Sequence, residues 1–377
     1  MDNPGTAHCT NYAFSYTMLP PVFADDPEPN DGIGLSATQL AYDTDQDGRN
    51  NFDGESTYDY YRILLPTNGI LNIDVQAEHA GTTPGTMTVA LLNNGGSVLQ
   101  TWPVTVGANS IPVSSAMSIT CRSTVNNYHI RINSSVCGTS YRFKYTVTPP
   151  LFAGDAEPNN GAPGAPTVHD TYVDGNLQFD GESTYDYYNI VPPHNGVMNI
   201  EVQAEHVGGS PGTIDMVLYT TAGITIQTWS VPVGANSTAT TTTVSILCRS
   251  STTDYDLRFA TTTCGVSYRW KYTMTAPLFA NDLEPNNGAG GSTEAHDTWY
   301  EGQIGFDNQT DDDYYNLVPA HNGVMHIQVE AEHVGASPGA VNVTLFTTAG
   351  IVIQSWTITA GANGVPVDTV VSVPCRS

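Results

Sequence analysis

The strongest constraint on the fold is a repeat of 127 residues that runs through most of the chain. The positions that recur at this spacing include Asp59, Asp186 and Asp313, and also Cys121, Cys248 and Cys375. One turn of a solenoid takes only about 20–45 residues, so a unit of this length is a whole domain. The repeat therefore predicts tandem domains that share one fold.

Within each unit, short strand-like stretches are separated by turn signals. Residues 70–75 alternate apolar and polar side chains at period two, and they follow the turn sequence Pro66-Thr67-Asn68-Gly69. No stretch of helical periodicity interrupts roughly eight such strands per unit. This pattern predicts an all-β chain of three tandem antiparallel β-sandwich (jelly-roll-like) domains, the last one incomplete.

A linker motif, Phe-x-x-Asp-x-Glu-Pro-Asn-[Asp/Asn]-Gly, marks the start of each unit. It begins at Phe23, Phe152 and Phe279. We predict a donor-like strand at 1–18, repeat 1 at 19–148, repeat 2 at 149–275 and repeat 3 at 276–377, which lacks its final strands.

The N-terminal stretch resembles the last strand of a unit. Residues 9–24 align with residues 137–153, and three aromatic residues match in each copy: Tyr12, Phe14 and Tyr16 with Tyr141, Phe143 and Tyr145, and with Tyr268, Trp270 and Tyr272. Repeat 3 contains no such strand. The stretch at the start of the chain therefore resembles the one that repeat 3 lacks.

Composition narrows the classes of partner. The formal net charge is −26, and Lys and Arg total 11. This balance argues against nucleic acid and against anionic membrane surfaces, which both require basic residues. No apolar run approaches the roughly 18 residues that suggest a membrane span. The first 14 residues have neither a basic start nor an apolar core, so we do not interpret them as a signal peptide.

The cysteines indicate an oxidising compartment. The spacing of 16 residues in Cys121–Cys137 and in Cys248–Cys264 predicts one disulfide within each unit, and we predict that the remaining Cys9 and Cys375 form an intermolecular bond. The location is then extracellular, either secreted or at the cell surface. Four N-glycosylation sequons agree with this setting: Asn133, Asn236, Asn308 and Asn342.

Each linker motif is followed, about 25 residues later, by a second acidic cluster that ends in Asp-Tyr-Tyr. Calcium takes six to eight oxygen ligands from carboxylates, amides and carbonyls, and the two segments together offer such a set. The alternative is a solvated acidic turn. In copy one, Asp43, Asp45 and Asp47 resemble the start of an EF-hand loop, but Gly54 stands where the loop requires glutamate. We interpret that stretch as an acidic loop, and an additional cation in copy one remains the alternative.

The order of these motifs resembles the bacterial pre-peptidase C-terminal domain family. The resemblance covers D-x-E-P-N-[D/N]-G, F-D-G-x-x-x-x-D-Y-Y and P-x-N-G-x-[LM]-x-I, and it spans nearly the whole chain. It implies β-sandwich domains of secreted bacterial proteins, some of which bind calcium at the acidic entry segment. The implied calcium ligands are Asp26, Glu28, Asn30, Asp31 and Asp59 in copy one, Asp155, Glu157, Asn159 and Asp186 in copy two, and Asp282, Glu284, Asn286 and Asp313 in copy three.

A Glu-His pair in each unit does not predict catalysis. The pairs are Glu78-His79, Glu205-His206 and Glu332-His333. Neighbours on a strand point to opposite faces, so the two side chains of a pair do not converge. The motifs H-E-x-x-H and G-x-S-x-G are both absent. We predict that the chain is not an enzyme.

The leading functional hypothesis is a secreted structural subunit that polymerises head to tail into an extracellular filament. Its N-terminal strand would complete the C-terminal domain of a neighbour, so its partner is another copy of itself. One alternative is a tandem adhesin or carbohydrate- or matrix-binding array, with glycans as partners and with Trp299 and Tyr300 as candidate stacking residues. Closure of one chain into a ring, and a window of a longer repeat array, also remain open.

Overall fold

The structure is a computed structural model. It describes residues 11–28, 30–33, 37–54, 56–155, 159–282, 288, 291, 293–309 and 312–376, with only the backbone of residues 165, 375 and 376. Across these ranges the chain forms strands, turns and loops, and the all-β prediction is confirmed. Within the same ranges, no helix is long and apolar enough to cross a membrane.

The described residues divide into two compact units. Unit 1 takes those of Met1–Pro66, Leu71–Ile119 and Asn126–Thr148. Unit 2 takes Thr67–Ile70, Thr120–Val125 and those of Pro149–Ser377, so it contains repeats 2 and 3 together with two short segments from the sequence of repeat 1.

Repeat 1 contains nine strands in two sheets. The strands are β1 (Thr38–Gln39), β2 (Gln46–Asn50), β3 (Tyr58–Ile63), β4 (Gly69–His79), β5 (Gly85–Asn93), β6 (Val98–Val106), β7 (Val113–Arg122), β8 (Tyr128–Ser134) and β9 (Thr139–Thr148). The front sheet has the order β1-β3-β8-β5-β6, and the back sheet has the order β2-β9-β4-β7. The short β1 pairs with β3 in parallel.

Repeat 2 has the same topology. Its strands are β10 (Ala165–Thr167), β11 (Val173–Leu177), β12 (Tyr185–Ile190), β13 (Gly196–His206), β14 (Gly212–Thr220), β15 (Thr225–Val233), β16 (Thr240–Arg249), β17 (Tyr255–Ala260) and β18 (Val266–Thr275). The front sheet is β10-β12-β17-β14-β15, and the back sheet is β11-β18-β13-β16.

The core of each complete repeat lies between its two sheets. In β13, Met198, Ile200, Val202 and Ala204 alternate with polar residues and are fully buried. They pack in one cluster with Trp270 of β18. The period-two alternation is what places these side chains on one face. Repeat 1 contains the equivalent cluster, which is centred on β4 and β9.

Repeat 3 is an incomplete version of the same fold. Its described strands are β19 (Thr293–Glu294), β20 (Asn316–Leu317), β21 (Gly323–Ala331), β22 (Gly339–Phe346), β23 (Val352–Ala360) and β24 (Val367–Arg376). They form three separate two-stranded pairs: β19 with β20, β21 with β24, and β22 with β23.

The first strands of repeat 3 are short because the strands that they would pair with are absent from its described part. In repeat 2, β12 pairs with β17 over six residues, and β11 pairs with β18 over five. No equivalent of β17 or β18 is present in the described part of repeat 3, and β20 is only two residues long. A strand without a neighbour leaves its backbone N–H and C=O groups unpaired. It therefore loses the hydrogen bonds that stabilise its extended conformation.

The segment Asn11–Pro20 forms no regular secondary structure and is exposed throughout. Its apolar side chains are strongly exposed: Tyr12 at 85%, Phe14 at 79%, Tyr16 at 81% and Met18 at 84%. The matching residues of β9 and β18 are buried. The segment therefore carries the residue pattern of a core strand without a core around it.

Candidate functional site

The disulfide joins two repeats rather than two positions of one repeat. Cys121, near the end of β7 and within the Thr120–Val125 segment of unit 2, bonds to Cys264 of repeat 2, with a Cα–Cα distance of 5.8 Å. Cys137 and Cys248 are free thiols. The predicted bonds Cys121–Cys137 and Cys248–Cys264 are therefore wrong. The predicted Cys9–Cys375 bond involves a residue and a side chain outside the described part of the chain.

The direction of the strands explains this correction. In repeat 2, Arg249, next to Cys248, pairs with Gly196 at the start of β13, whereas Val266, two residues after Cys264, pairs with His206 at its end. At about 3.3 Å per residue, these positions are roughly 30 Å apart. A disulfide spans at most about 7 Å between Cα atoms. The two cysteines of one repeat therefore lie at opposite ends of its sandwich and cannot bond.

Polar contacts surround the bonded cysteine. The side-chain amide of Asn68 donates to Glu182 at 2.8 Å, and Arg122 forms an ion pair with Asp180 at 2.9 Å. The backbone N–H of Asp180 donates to the carbonyl of Cys121 at 3.0 Å. All these residues lie in unit 2. Asp180 and Glu182 of the second acidic cluster thus serve a junction between repeats.

The junction between repeats 2 and 3 repeats this arrangement. Asn195 donates to Gln303 at 2.5 Å, and Arg249 pairs with Asp307 at 2.6 Å. The backbone N–H of Asp307 donates to the carbonyl of Cys248 at 3.1 Å. The Asn of the Pro-x-Asn-Gly turn therefore contacts the following repeat at both junctions.

The linker motif and the Asp-Tyr-Tyr cluster meet in a buried hydrogen-bond network. In unit 1, the amide nitrogen of Asn30 donates to Asp26 and to the hydroxyl of Tyr61, both at 3.3 Å. The hydroxyls of Tyr61 and Tyr141 lie 2.8 Å apart, and Tyr141 donates to Asp59. This network joins the first linker to the back sheet, because Tyr141 belongs to β9.

The second copy of the network has the same geometry. Asn159 donates to Asp155 at 3.4 Å and to the hydroxyl of Tyr188 at 3.3 Å. Tyr188 and Tyr268 lie 2.9 Å apart at their hydroxyls, and Tyr268 donates to Asp186 at 2.5 Å. In both copies the final donor is a tyrosine of the last strand of the repeat.

Burial controls the protonation of this network. It raises the pKa of Asp59 to about 7, even though hydrogen bonds from Tyr141 and Asn50 favour the ionised form. The negative charges of Asp26 and Glu28 raise the same pKa further. Burial also raises the pKa of Tyr141 well above its ordinary value, so this hydroxyl stays a donor.

The oxygens of the first copy fit a hard cation in part. Asn30 Oδ1 and Asp59 Oδ1 are buried and have no hydrogen-bond partner among the described residues. Glu28 accepts from the backbone N–H of Asn30 at 2.8 Å, and Asp31 is exposed. However, the described ranges contain no group of three or more His, Cys, Asp or Glu residues suited to holding a metal. A cation here would depend on the amide oxygen of Asn30.

The other predicted ligands are placed only in part. Asp155, Asn159 and Asp186 come together in copy two, and Glu157 lies outside the described residues. In copy three, Asp282 and Asp313 are both half-buried. Glu284 and Asn286 lie outside the part of the chain that the structure describes.

The EF-hand-like stretch is engaged with basic side chains. Asp47 forms a two-pronged ion pair with Arg142 at 2.6 and 3.0 Å, and Asp43 pairs with Lys144 at 3.5 Å. Asp43 lies in a turn, as an acidic loop predicts, whereas Asp47 lies in β2, where its carboxylate pairs with a basic side chain of β9.

In each Glu-His pair, the glutamate contacts the segment that leads into the repeat, and the histidine contacts its own loop. The buried Glu205 accepts from the hydroxyl of Ser267 at 2.5 Å and from the backbone N–H of Leu151 at 3.1 Å. His206 lies 2.6 Å from the carbonyl of Ser210 in its own loop. The two side chains point to separate partners, as strand alternation predicts.

The sequons differ in accessibility. Asn236, Asn308 and Asn342 are exposed, whereas Asn133 is half-buried in β8. The side-chain nitrogen of Asn308 donates to Thr253 at 2.5 Å, so this sequon lies at the junction of repeats 2 and 3.

Sequence reasoning missed the glycine beneath each tyrosine pair. A Cβ on Gly48 would lie 2.5 Å from the hydroxyls of both Tyr61 and Tyr141, and one on Gly175 would meet Tyr268 at the same distance. The signal was present, because Gly48, Gly175 and Gly302 recur at 127 residues.

Together, the sheets and junctions define a tandem array of β-sandwich repeats. No protein-family model matches the chain, and no curated protein matches it. The solved structures that are similar to parts of it include the following three. The CBM22-1–CBM22-2 tandem domain of Xyn10C from Paenibacillus barcinonensis is 12% identical over 56% of this chain and 80% of that chain, with a TM-score of 0.21.

The other two similarities are equally distant. The isomalto-dextranase of Arthrobacter globiformis T6, complexed with panose, is 12% identical over 60% of this chain and 34% of that chain, with a TM-score of 0.22. The PBSX exported protein XepA is 11% identical over 70% of this chain and 100% of that chain, with a TM-score of 0.19.

Proposed function

We propose that the chain is a structural subunit that polymerises head to tail, with Asn11–Met18 of one copy completing repeat 3 of another. One contrast carries this proposal. The edge of β13 that pairs with β18 in repeat 2 corresponds to an edge of β21 without a paired strand among the described residues of repeat 3, where Met325, Ile327 and Val329 are only half-buried. The same chain exposes another copy of the covering strand.

The alternation of the donor segment fits a strand that pairs with the open edge of β21. In β9, Tyr141, Phe143 and Tyr145 point into the core, while Arg142 and Lys144 point outward. At the matching positions of the inserted donor segment, Tyr12, Phe14 and Tyr16 would point inward, and the small residues between them would point outward. Backbone pairing with β21 would provide the hydrogen bonds, and the aromatic rings would provide burial.

The tyrosine network supports the same register. Tyr12 matches Tyr141 and Tyr268, whose hydroxyls donate to Asp59 and Asp186. The donated strand would bring Tyr12 to Asp313, the equivalent aspartate of repeat 3. A contact of this kind does not close on itself, so repetition gives a filament.

Electron microscopy of the purified 377-residue chain tests the proposal. We expect regular filaments from the chain itself. Replacing the three inward aromatics by aspartate (Tyr12→Asp, Phe14→Asp, Tyr16→Asp) should abolish them, because the charges would enter the core of repeat 3.

A matched control alters only the outward face of the donor segment. Ala13→Arg and Ser15→Lys copy the outward residues of β9, and this variant should form filaments as readily as the parent chain. Loss of filaments in the control as well, or their persistence in the aspartate variant, would contradict insertion of this strand.

Membership of the pre-peptidase C-terminal family and calcium binding at the linkers belong to the same proposal. They are supported by the meeting of the two motif halves in the Asn30–Tyr61–Tyr141–Asp59 network. Bound calcium would supply positive charge to the unpartnered oxygens of Asn30 and Asp59, while Asp26 adds a second carboxylate. Each linker would then be stiffened where it enters its sandwich.

Thermal unfolding tests the cation. Millimolar calcium should raise the midpoint of the parent chain after chelator treatment, and equal magnesium should raise it less, because magnesium demands stricter geometry. Asp59→Asn should reduce the gain. An identical midpoint with and without calcium would leave the acidic clusters as solvated turns.

The setting that we propose is extracellular and non-catalytic. The Cys121–Cys264 bond supports an oxidising compartment. The structural contacts of Glu205 and His206 support the absence of an active site at the Glu-His pairs. The exposure of Asn236, Asn308 and Asn342 supports glycosylation at these sequons.

A second candidate function is glycan binding by repeat 3. It is supported by the exposure of Trp299 at 59% and of Tyr300 at 37%, which leaves two adjacent rings available for stacking on sugars. A glycan array on the parent chain and on Trp299→Ala separates this function from the first. Specific binding that the substitution removes would favour it, and an array without signal would reject it.

A further inference from the structure

Of the two cysteines that are free among the described residues, Cys248 has the backbone conformation of its bonded counterpart Cys121. Cys121 has φ 63°, and Cys248 has φ 59°. A positive φ is uncommon for a residue with a side chain and indicates a local constraint. The backbone carbonyl of each cysteine accepts a hydrogen bond from the backbone N–H of an aspartate in the following repeat, Asp180 for Cys121 and Asp307 for Cys248. Cys248 is therefore arranged as one half of a junction bond.

Cys137 matches the other half. Gly138 has φ 66°, and Gly265, which follows the bonded Cys264, has φ 74°. Each glycine N–H donates to the residue after a β2-type strand: Gly138 to Asn51 at 3.0 Å and Gly265 to Gln178 at 3.2 Å. Cys137 is exposed, so it is accessible to a second chain.

The observed bond follows a pairing rule that can be applied to the remaining cysteines. The first cysteine of one repeat bonds to the second cysteine of the next. For Cys248, the next repeat is repeat 3, whose last strand in the proposed filament is the donor segment of another copy. That segment follows Cys9, with one residue fewer between Cys9 and Tyr12 than between Cys264 and Tyr268. For Cys137, the preceding repeat is repeat 3 of the other neighbour, whose first cysteine is Cys375.

We propose that two disulfides lock each junction between copies of the filament: Cys248 of one copy with Cys9 of the next, and Cys375 of the first with Cys137 of the next. This inference rests on the proposed polymerisation. With Cys121–Cys264 inside each chain, it pairs all six cysteines. It also replaces the Cys9–Cys375 bond that the sequence predicts.

The chemistry requires an external organic disulfide as oxidant. For each bond, two thiols lose two protons and two electrons by thiol–disulfide exchange, and one S–S bond forms. The oxidant's own S–S bond breaks, and it leaves as two thiols that carry those protons and electrons. The balance is complete for each junction bond.

Exposed polar residues in repeats 1 and 3 occupy the positions of residues that form the junctions within the chain. Asn322 occupies the position of Asn68 and Asn195, and Asp53 occupies that of Asp180 and Asp307; both are exposed. In the proposed filament, repeat 3 of one copy and repeat 1 of the next would bring these residues to the same contact region. The disulfides would therefore lie in a polar junction like the two within the chain.

Disulfide mapping of oxidised filaments tests the proposal. The full chain is assembled with oxidised glutathione, and free thiols are alkylated. Samples are examined by electron microscopy, by electrophoresis without reductant and by mass spectrometry of peptides. We expect a ladder of cross-linked chains and linked peptides for Cys9–Cys248 and Cys137–Cys375.

Two variants separate the junction bonds from the internal one. Cys137→Ser with Cys248→Ser should reduce the cross-linked fraction from most of the sample to none while filaments remain, because strand insertion is non-covalent. Cys121→Ser with Cys264→Ser should keep the ladder.

The outcomes also separate this inference from the proposed function. Filaments whose chains all migrate as monomers, or peptides linked through Cys9–Cys375, would overturn the disulfide assignment and leave polymerisation standing. The mapped bonds without filaments would support the assignment and reject regular polymerisation. A sample with neither filaments nor cross-links would overturn both.

Discussion

Repeats 2 and 3 carry nearly the same strand in two different environments. β13 begins Gly-Val-Met-Asn-Ile, and β21 begins Gly-Val-Met-His-Ile. Met198 and Ile200 are fully buried, whereas Met325 and Ile327 are half-buried. The difference comes from β17 and β18 of repeat 2, which have no counterpart in the described part of repeat 3. The comparison teaches that burial in this fold depends on the last strands of each repeat.

The same comparison explains the size of the two cores. Repeat 2 buries a continuous cluster that includes Trp270, Tyr268 and Tyr272 of β18. The buried cluster of repeat 3 contains Ala331, Ile358 and Ala360, with partly buried valines around it. Since burying one large apolar side chain contributes about 1.5–3 kcal/mol, repeat 3 lacks much of the stabilisation of its neighbour.

The largest expected effect comes from making repeat 2 resemble repeat 3. Trp270→Ala removes a fully buried ring from β18 and should destabilise repeat 2 by about 3–5 kcal/mol. Hydrogen exchange of β13 amides measures this as faster exchange. The matched control is Phe14→Ala, at the equivalent position of the exposed donor segment, which should leave exchange in the isolated chain unchanged. Equal effects of both substitutions would show that the comparison is wrong.

The alternation of β13 was sufficient to predict its inward face, because burial in a complete sandwich follows period two. The same pattern in β21 could not predict half-exposure, since this depends on a strand distant in the chain. The cysteines show a related limit. Spacing alone suggested that Cys248 bonds to Cys264, but the intervening strand Tyr255–Ala260 carries the chain to the opposite end of the sandwich. The predicted strand, combined with its length, could have excluded that pair.

The sequence predicted which acidic and amide residues of the linker site come together, but not the residues that connect them. Asp26, Asn30 and Asp59 come together as the resemblance implied, but the tyrosines that connect them were not predicted as members. Tyr141 reaches Asp59 from a sequence distance of 82 residues, so a pairing of strands brings them together. No local motif contains that information.

The next effect concerns the network of a complete repeat and its pH dependence. Burial raises the pKa of Asp59 from 3.8 to about 7, so folding favours the protonated carboxyl. Its stabilising contribution is complete below about pH 4 and is lost as pH rises through about 7. In chelator, we expect repeat 1 to lose stability on the order of a few kcal/mol between pH 4 and pH 8. Thermal unfolding across this range measures it.

Two variants identify the responsible group. Asp59→Asn removes the titrating carboxyl and should flatten the pH dependence. Asp31→Asn changes an exposed residue of the same linker motif and should keep it. Calcium should oppose the loss at high pH, because a cation favours the ionised carboxyl. A slope that survives Asp59→Asn would assign the pH dependence to another group.

A smaller effect is expected from the glycines beneath the tyrosine pairs. Gly175→Ala places a methyl group 2.5 Å from the ring of the fully buried Tyr268, which cannot move without breaking its bond to Asp186. We expect a loss of about 1–3 kcal/mol, the usual cost of overpacking. Gly302→Ala meets the hydroxyl of Tyr315 and a carboxylate oxygen of Asp313, which are the ends of side chains that are only partly buried, Tyr315 being 39% exposed. Such side chains have solvent space to shift into, so the cost should be below about 1 kcal/mol. Denaturant unfolding of the two variants compares them, and a larger loss for Gly302→Ala would contradict an open repeat 3.

The smallest expected effect on the stability of the single chain concerns the asparagines of the Pro-x-Asn-Gly turns. The same residues are expected to differ most clearly in their effect on assembly. Asn195 is buried at the junction of repeats 2 and 3, where it donates to Gln303 and accepts from the backbone N–H of Ser251 at 2.8 Å. Asn195→Ala should cost about 1–2 kcal/mol in unfolding of the isolated chain, because it leaves buried partners unsatisfied. Asn322→Ala alters an exposed residue and should leave that stability unchanged.

In the proposed filament the order of the two variants reverses. Asn322 would lie at the contact between copies, so its loss should raise the protein concentration required for assembly several-fold, and light scattering measures that threshold. Asn195→Ala should assemble near the parent threshold at temperatures where its junction stays folded. If Asn322→Ala assembled like the parent chain, the contact between copies could not copy the junction that Asn68 and Asn195 form within one chain.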